Sequence, residues 1–91
     1  MNKADLIAAV SQGAGLTKKD SERVLNAAID AITASLVEGE KVHISGFGTF
    51  EVKERSAHIG RNPHTGEAIH IPATRVPVFK PGKALKDTVG K

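Results

Sequence analysis

The chain has 91 residues, with 13 lysines and arginines against 10 aspartates and glutamates, and a net charge of +3 at pH 7. This length indicates one domain, near the size at which a single hydrophobic core is barely sufficient. The absence of cysteine excludes disulfides and thiolate zinc sites. No apolar run suggests a signal peptide or a membrane span, so we expect a cytoplasmic protein.

The first half of the chain predicts two helices. Asn2 is a suitable N-cap with Asp5 at the third helical position, and the glycines of GAG at 13–15 end the first helix. Thr17 caps a second helix, and Gly39 follows its end. Within this second helix, large apolar side chains recur at spacings of four, three and four residues: Leu25, Ile29, Ile32 and Leu36.

From residue 41 the apolar period changes to two, which predicts strands. Two strands flank a turn marked by Gly46 and Gly48, and VPVF at 76–79 forms a third. Between them lies a polar hairpin, and a short helix, KALKDTV, follows Pro81 and Gly82. The predicted class is α+β in a single domain: helical dimerisation part about 1–40, sheet and arm about 41–80 with the arm at 53–76, and C-terminal helix about 82–90.

The apolar stripes of this chain need more partners than one subunit supplies. A long hairpin cannot bury itself in water, and the helices and strands carry wide apolar faces. We therefore predict a homodimer in which two copies close one core. Besides the helical stripe, its predicted members are the three phenylalanines: Phe47, Phe50 and Phe79.

Three other functions fit the residues poorly. SGFGTFEV at 45–52 half-matches the signature of an RNA-recognition motif, but Thr49 stands where an aromatic is required. If the hairpin is symmetric about His64, His58 and His70 face each other, yet no carboxylate or cysteine completes a metal site. No set of nucleophile, base and acid has a useful spacing. We expect no metal, no cofactor and no enzyme activity.

The hairpin tip, GRNPHTG at 60–66, combines residues typical of turns with the long basic side chain of Arg61. An exposed proline, Pro63, can be driven between base steps in the minor groove and kink the duplex. Flanking arginines suit the negative potential of a narrow groove. Lys80, Lys83 and Lys86 add cations near the last helix. Together, the basic arm and these lysines predict a DNA-binding surface.

The whole chain resembles the bacterial histone-like HU family, relatives of integration host factor. The residues that carry the resemblance are NKADLI at the start, LTKKD, GFGTFEV, the arm with GRNPHTGE, and VPVFKPGKALKD. The resemblance implies an intertwined homodimer with two helices per subunit, a small sheet, and two β-arms that embrace double-stranded DNA. It also implies a protein of the bacterial nucleoid that takes neither a membrane nor a small-molecule substrate as a partner.

The resemblance also assigns roles to residues. Pro63 would be the intercalating wedge, and His58 departs from the arginine that the family usually carries, so that a titratable charge replaces a permanent one. The residues implied to contact DNA are Lys3, Lys53, Arg55, His58, Arg61, Asn62, Pro63, Arg75, Lys80, Lys83 and Lys86. Two functions remain open: an architectural protein that bends and compacts DNA with little sequence preference, or a sequence-preferring assembly factor of the integration-host-factor type.

Overall fold

The computed structural model describes residues 1–91. It contains three helices and five strands, and it confirms the predicted α+β class. In chain order the elements are α1 (Lys3–Ala14), α2 (Lys18–Val37), β1 (Val42–Ile44), β2 (Gly48–Arg55), β3 (His58–Arg61), β4 (Ala68–Ile71), β5 (Thr74–Pro81) and α3 (Lys83–Val89). The chain divides into two compact units, residues 1–34 and 35–91.

The N-terminal unit begins as predicted, with reciprocal capping of α1. The Asn2 side chain accepts a hydrogen bond from the Asp5 backbone at 2.9 Å, and the Asp5 carboxylate accepts one from the Asn2 backbone. Thr17 accepts from the Asp20 backbone at 3.1 Å and so caps α2. Early in α2, Ser21 is fully buried and its hydroxyl has no hydrogen-bond partner.

The second unit starts with the last turn of α2. Gly39, at φ +79°, donates to the Leu36 carbonyl, and Glu40 donates to the Ser35 carbonyl. These two bonds satisfy carbonyls that would otherwise lack partners at the helix end. The predicted stop at Gly39 is confirmed, because the left-handed conformation that ends the helix favours glycine.

Three strands form an antiparallel sheet in the order β1-β2-β5. Phe50 pairs with Phe79 across β2 and β5, and the Phe79 ring also packs on Phe47, with centroids 5.2 Å apart. Gly48 was predicted in the turn but lies in β2. A Cβ there would come within 2.6 Å of the Phe79 ring and the Lys80 carbonyl, so glycine permits this close packing. The third predicted strand is longer than VPVF because all eight residues of β5 pair with β2.

The polar hairpin is a separate two-stranded sheet of β3 and β4. It is joined to the larger sheet by 56–57 and 72–73, where neither strand continues. The symmetric pairing about His64 is wrong by one residue, because His58 pairs with Ile71 and Ile59 pairs with His70. Neighbouring positions alternate between faces of a sheet, so His58 and His70 lie on opposite faces of the hairpin.

No apolar side chain is fully buried in the single chain. Of the predicted dimer core, Ile29, Phe47 and Phe79 are 45%, 44% and 37% exposed, and the others are half-buried. The sheet has an apolar face carrying Val42 and Phe50, but nothing in one chain covers it completely. No helix combines the length and the apolar character that crossing a membrane requires.

Candidate nucleic-acid interface

The tip of the hairpin is an organised turn that presents Pro63. The Asn62 side-chain oxygen accepts a hydrogen bond from the His64 backbone at 2.8 Å, and the Asn62 backbone carbonyl accepts one from the Gly66 backbone at 2.7 Å. The Asn62 backbone donates to the Glu67 carbonyl at 2.8 Å, which closes the turn. Asn62, predicted to contact DNA, thus has a structural task of its own: it bridges the proline by an Asx turn and leaves Pro63 exposed.

The two faces of the hairpin differ in character. His58 and Gly60 share one face with Ile69 and Ile71. The Ile71 side chain lies over Gly60, where a Cβ would come within 2.9 Å of its Cδ1. Arg61 lies on the other face. His58 and Arg61 therefore lie on opposite sides of the hairpin, an arrangement that would let each side chain contact one wall of a single groove.

The base of the hairpin carries further arginines. Arg55 ends β2, and it helps to line a shallow cleft with Ser56, Ala73 and Arg75. The Arg55 side chain is exposed, which leaves its guanidinium available to an anion. The cleft places one arginine from each of the two paired strands at the point where the larger sheet meets the hairpin.

Arg75 has a structural partner that the sequence did not predict. Its Nη2 donates to the carbonyls of Leu36 and Val37 at 3.2 and 3.3 Å. The last turn of α2 contains no basic residue of its own, and a cation at this end interacts favourably with the helix dipole. The guanidinium therefore ties β5 to the end of α2, so at least part of its hydrogen-bonding capacity is committed within the chain.

One face of the three-stranded sheet is mostly polar, with Val76 and Val78 of β5 as its apolar members. Alternation along β2 puts Thr49, Glu51 and Lys53 on this face, and Lys80 pairs directly with Thr49. His43 of β1 belongs to the same face, with its Nδ1 2.8 Å from the Thr49 hydroxyl. The face thus combines two of the predicted lysines with a carboxylate.

The carboxylate of Glu51 contacts two ammonium groups. Lys80 Nζ lies 2.7 Å from Oε1, and Lys41 Nζ lies 3.5 Å from Oε2. The hydrogen bond from Lys80 holds the pKa of Glu51 below its ordinary value, with support from the charges of both lysines, while burial of the carboxylate opposes this shift. Glu51 and Lys41 were not among the predicted site residues; period-two alternation in β2 places Glu51 with Lys53 but does not reveal its partners.

The remaining predicted lysines are exposed at helix ends. Lys83 and Lys86 lie three residues apart in α3, where they share one side of the helix. Lys3 is the first residue of α1 in the N-terminal unit. None of these three lysines has an ion-pair partner within the chain, so their ammonium groups remain free to meet an external anion.

Comparison with known proteins identifies the family. The family model described as bacterial DNA-binding protein matches residues 1–90. The DNA-binding protein HU of Lactococcus lactis is 62% identical over 88 residues, which cover 97% of each chain. That of Geobacillus stearothermophilus is 57% identical over 89 residues, or 98% of this chain and 99% of the relative.

Solved structures give the same result. An Anabaena HU–DNA cocrystal structure matches with a TM-score of 0.88 and 48% identity, covering 98% of this chain and 97% of that one. HU from Thermotoga maritima matches with a TM-score of 0.71 and 42% identity over 98% of both chains. The resemblance and the fold predicted from the sequence are confirmed. The chain belongs to the family of bacterial DNA-binding proteins.

Proposed function

We propose that this protein is an architectural DNA-binding protein that bends and compacts DNA with little dependence on sequence. The observation that carries this proposal is the hairpin tip, where an ordered turn presents an exposed proline next to Arg61. The cocrystal of the Anabaena relative with DNA supports the same ligand class. In a bacterial cell, this function places the protein on the nucleoid.

Pro63 is the proposed wedge. Its ring is rigid and exposed, and the Asn62 turn fixes its orientation, so little ordering is required when it meets DNA. Apolar wedges between base steps partly unstack them and bend the duplex. Arg61 and His58, on opposite faces of the hairpin, would then each meet one wall of the minor groove. Because the minor groove presents a degenerate pattern of donors and acceptors, contacts made there distinguish few sequences.

The lysines supply the phosphate contacts. Lys53 and Lys80 on the sheet, Lys83 and Lys86 on α3, and Lys3 on α1 have exposed ammonium groups. Contacts of this kind position a protein on the duplex but carry no sequence information. We assign most of the affinity to them, because each phosphate that is neutralised releases counterions from DNA.

The working unit in this proposal is a homodimer. No apolar side chain of the single chain is fully buried, and thirteen large apolar residues are exposed, among them Ile29 and Phe79. A stable domain cannot leave its aromatic cluster and helical stripe uncovered, because burial of such area is the main favourable term in folding. A second copy covers these faces and also supplies a second hairpin for the DNA.

Fluorescence anisotropy with labelled duplexes of equal length and scrambled sequence tests the proposal. We expect similar affinities for all sequences and a linear fall of log K with log salt, about 0.9 per phosphate neutralised. Lys83→Gln should weaken binding to every duplex and reduce the slope. Lys18→Gln is the matched control, because it removes the same charge outside the proposed contacts. A strong preference for one sequence, or a flat salt dependence, would contradict the proposal.

A further inference from the structure

Glu51 is the sole acidic residue of the polar sheet face, which also carries His43, Thr49, Lys53, Arg55 and Lys80. Its side chain is 9% exposed, whereas those of its partners Lys41 and Lys80 are 72% and 60% exposed. The carboxylate is thus enclosed while the two ammonium groups reach solvent. An incoming anion would meet the lysines and not the carboxylate that holds them.

The enclosed carboxylate stays ionised. Both lysines favour its charged form, and the lowered pKa of Glu51 follows first from the Lys80 hydrogen bond. The other charged or titratable groups on this face are Lys53 and Arg55, which follow Glu51 at steps of two residues along β2 and add positive charge, and His43, which contacts Thr49. No second carboxylate competes for the two lysines on the face, so the one negative charge is shared between them.

We propose that Glu51 is an internal counterion that competes with DNA phosphates for Lys41 and Lys80, and that Lys41 belongs to the DNA-binding surface. The inference rests on the proposed function, since it assumes that this face meets DNA. Glu51 is a positioning residue: it holds both ammonium groups side by side on the sheet and limits how much phosphate charge they neutralise.

The charge balance gives the size of the effect. Two lysines and one carboxylate carry one net positive charge, so the trio neutralises one phosphate where two free lysines would neutralise two. Each phosphate contributes about 0.9 to the slope of log K against log salt. Removing the Glu51 charge should therefore steepen the slope by about 0.9 for each subunit whose sheet face contacts DNA.

Glu51→Gln is the direct test, because glutamine keeps the size of the side chain and removes its charge. Glu54→Gln is the matched control: Glu54 lies on the same strand but on the other face, and it has no ion pair in the chain. We expect Glu51→Gln to bind more tightly at low salt, with an advantage that falls by about 3.5-fold per contacting subunit over a fourfold rise in salt, as the added slope requires. Glu54→Gln should keep the wild-type slope.

Lys41→Gln provides a second test that does not depend on the folding of Glu51→Gln. The remaining pair, Lys80 and Glu51, carries no net charge. Lys41→Gln should therefore reduce the slope by about 0.9 per contacting subunit, whereas Lys18→Gln should not. Equal steepening by Glu51→Gln and Glu54→Gln, or an unchanged slope in both Glu51→Gln and Lys41→Gln, would overturn the inference. Failure of the wild-type protein to bind DNA would overturn the proposed function instead.

Discussion

Replacing Arg75 by methionine tests the contact between β5 and the end of α2. Methionine keeps most of the aliphatic length but removes the charge and both hydrogen bonds to the Leu36 and Val37 carbonyls. A cation at a helix C-terminus is worth about 0.3–1 kcal/mol, and a net hydrogen bond about 0.5–1.5 kcal/mol. Leu36 keeps its bond from Gly39, so we count one net hydrogen bond, and the two contributions add to about 0.8–2.5 kcal/mol. Because Arg75 is exposed, we expect a loss near the lower end, about 1 kcal/mol per subunit.

This loss should be visible in thermal unfolding followed by circular dichroism. For a domain of this size, 1 kcal/mol corresponds to a fall in Tm of about 4–8 °C. Arg55→Met is the matched control, since it removes the same charge from the facing strand, and Arg55 makes no hydrogen bond within the chain comparable to those of Arg75. Both variants are measured at one protein concentration and one salt concentration. If Arg75→Met unfolds at the same temperature as Arg55→Met, the contact does not stabilise the fold.

Three further predictions follow from the structure. The buried Ser21 hydroxyl lacks a partner, and such a group costs about 1–3 kcal/mol, so Ser21→Ala should keep or raise the Tm, and a clear fall would show that the hydroxyl is satisfied in solution. If two copies share one core, the Tm of the wild-type protein should fall on dilution over about a hundredfold range, and a constant Tm would contradict the dimer. A guanidinium always carries its charge and donates in a planar fork, so His58→Arg should bind DNA more tightly than wild type; an unchanged affinity would contradict a groove contact at residue 58.

Local signals in the sequence predicted the helices well. Capping by Asn2, Asp5 and Thr17, and termination at Gly39, depend on residues within about five positions of one another, so the pattern contains the whole interaction. The helix KALKDTV likewise runs over the predicted residues 83–89. These features need no knowledge of tertiary structure.

Pairings between distant residues could not be predicted. Arg75 donates to carbonyls 38 and 39 positions away, and Lys80 of β5 contacts Glu51 of the neighbouring strand β2. Neither contact produces a periodic pattern in the sequence. The register of the hairpin follows from the turn at Asn62 and differs by one residue from a symmetric pairing, which is enough to separate His58 from His70. The length of β5 was underestimated because its ends are polar and are ordered by pairing with β2.

The central claim, that the proline at the hairpin tip bends DNA, is tested most directly by energy transfer between dyes at the two ends of a short duplex. Wild-type protein should increase the transfer by bringing the ends together, and Pro63→Ala should lose much of that increase while its Tm stays near that of wild type. Pro72→Ala, an equivalent change where β4 leads into β5, should retain the bend. If Pro63→Ala binds the duplex and bends it as much as the wild-type protein does, Pro63 is not the wedge and the account is wrong.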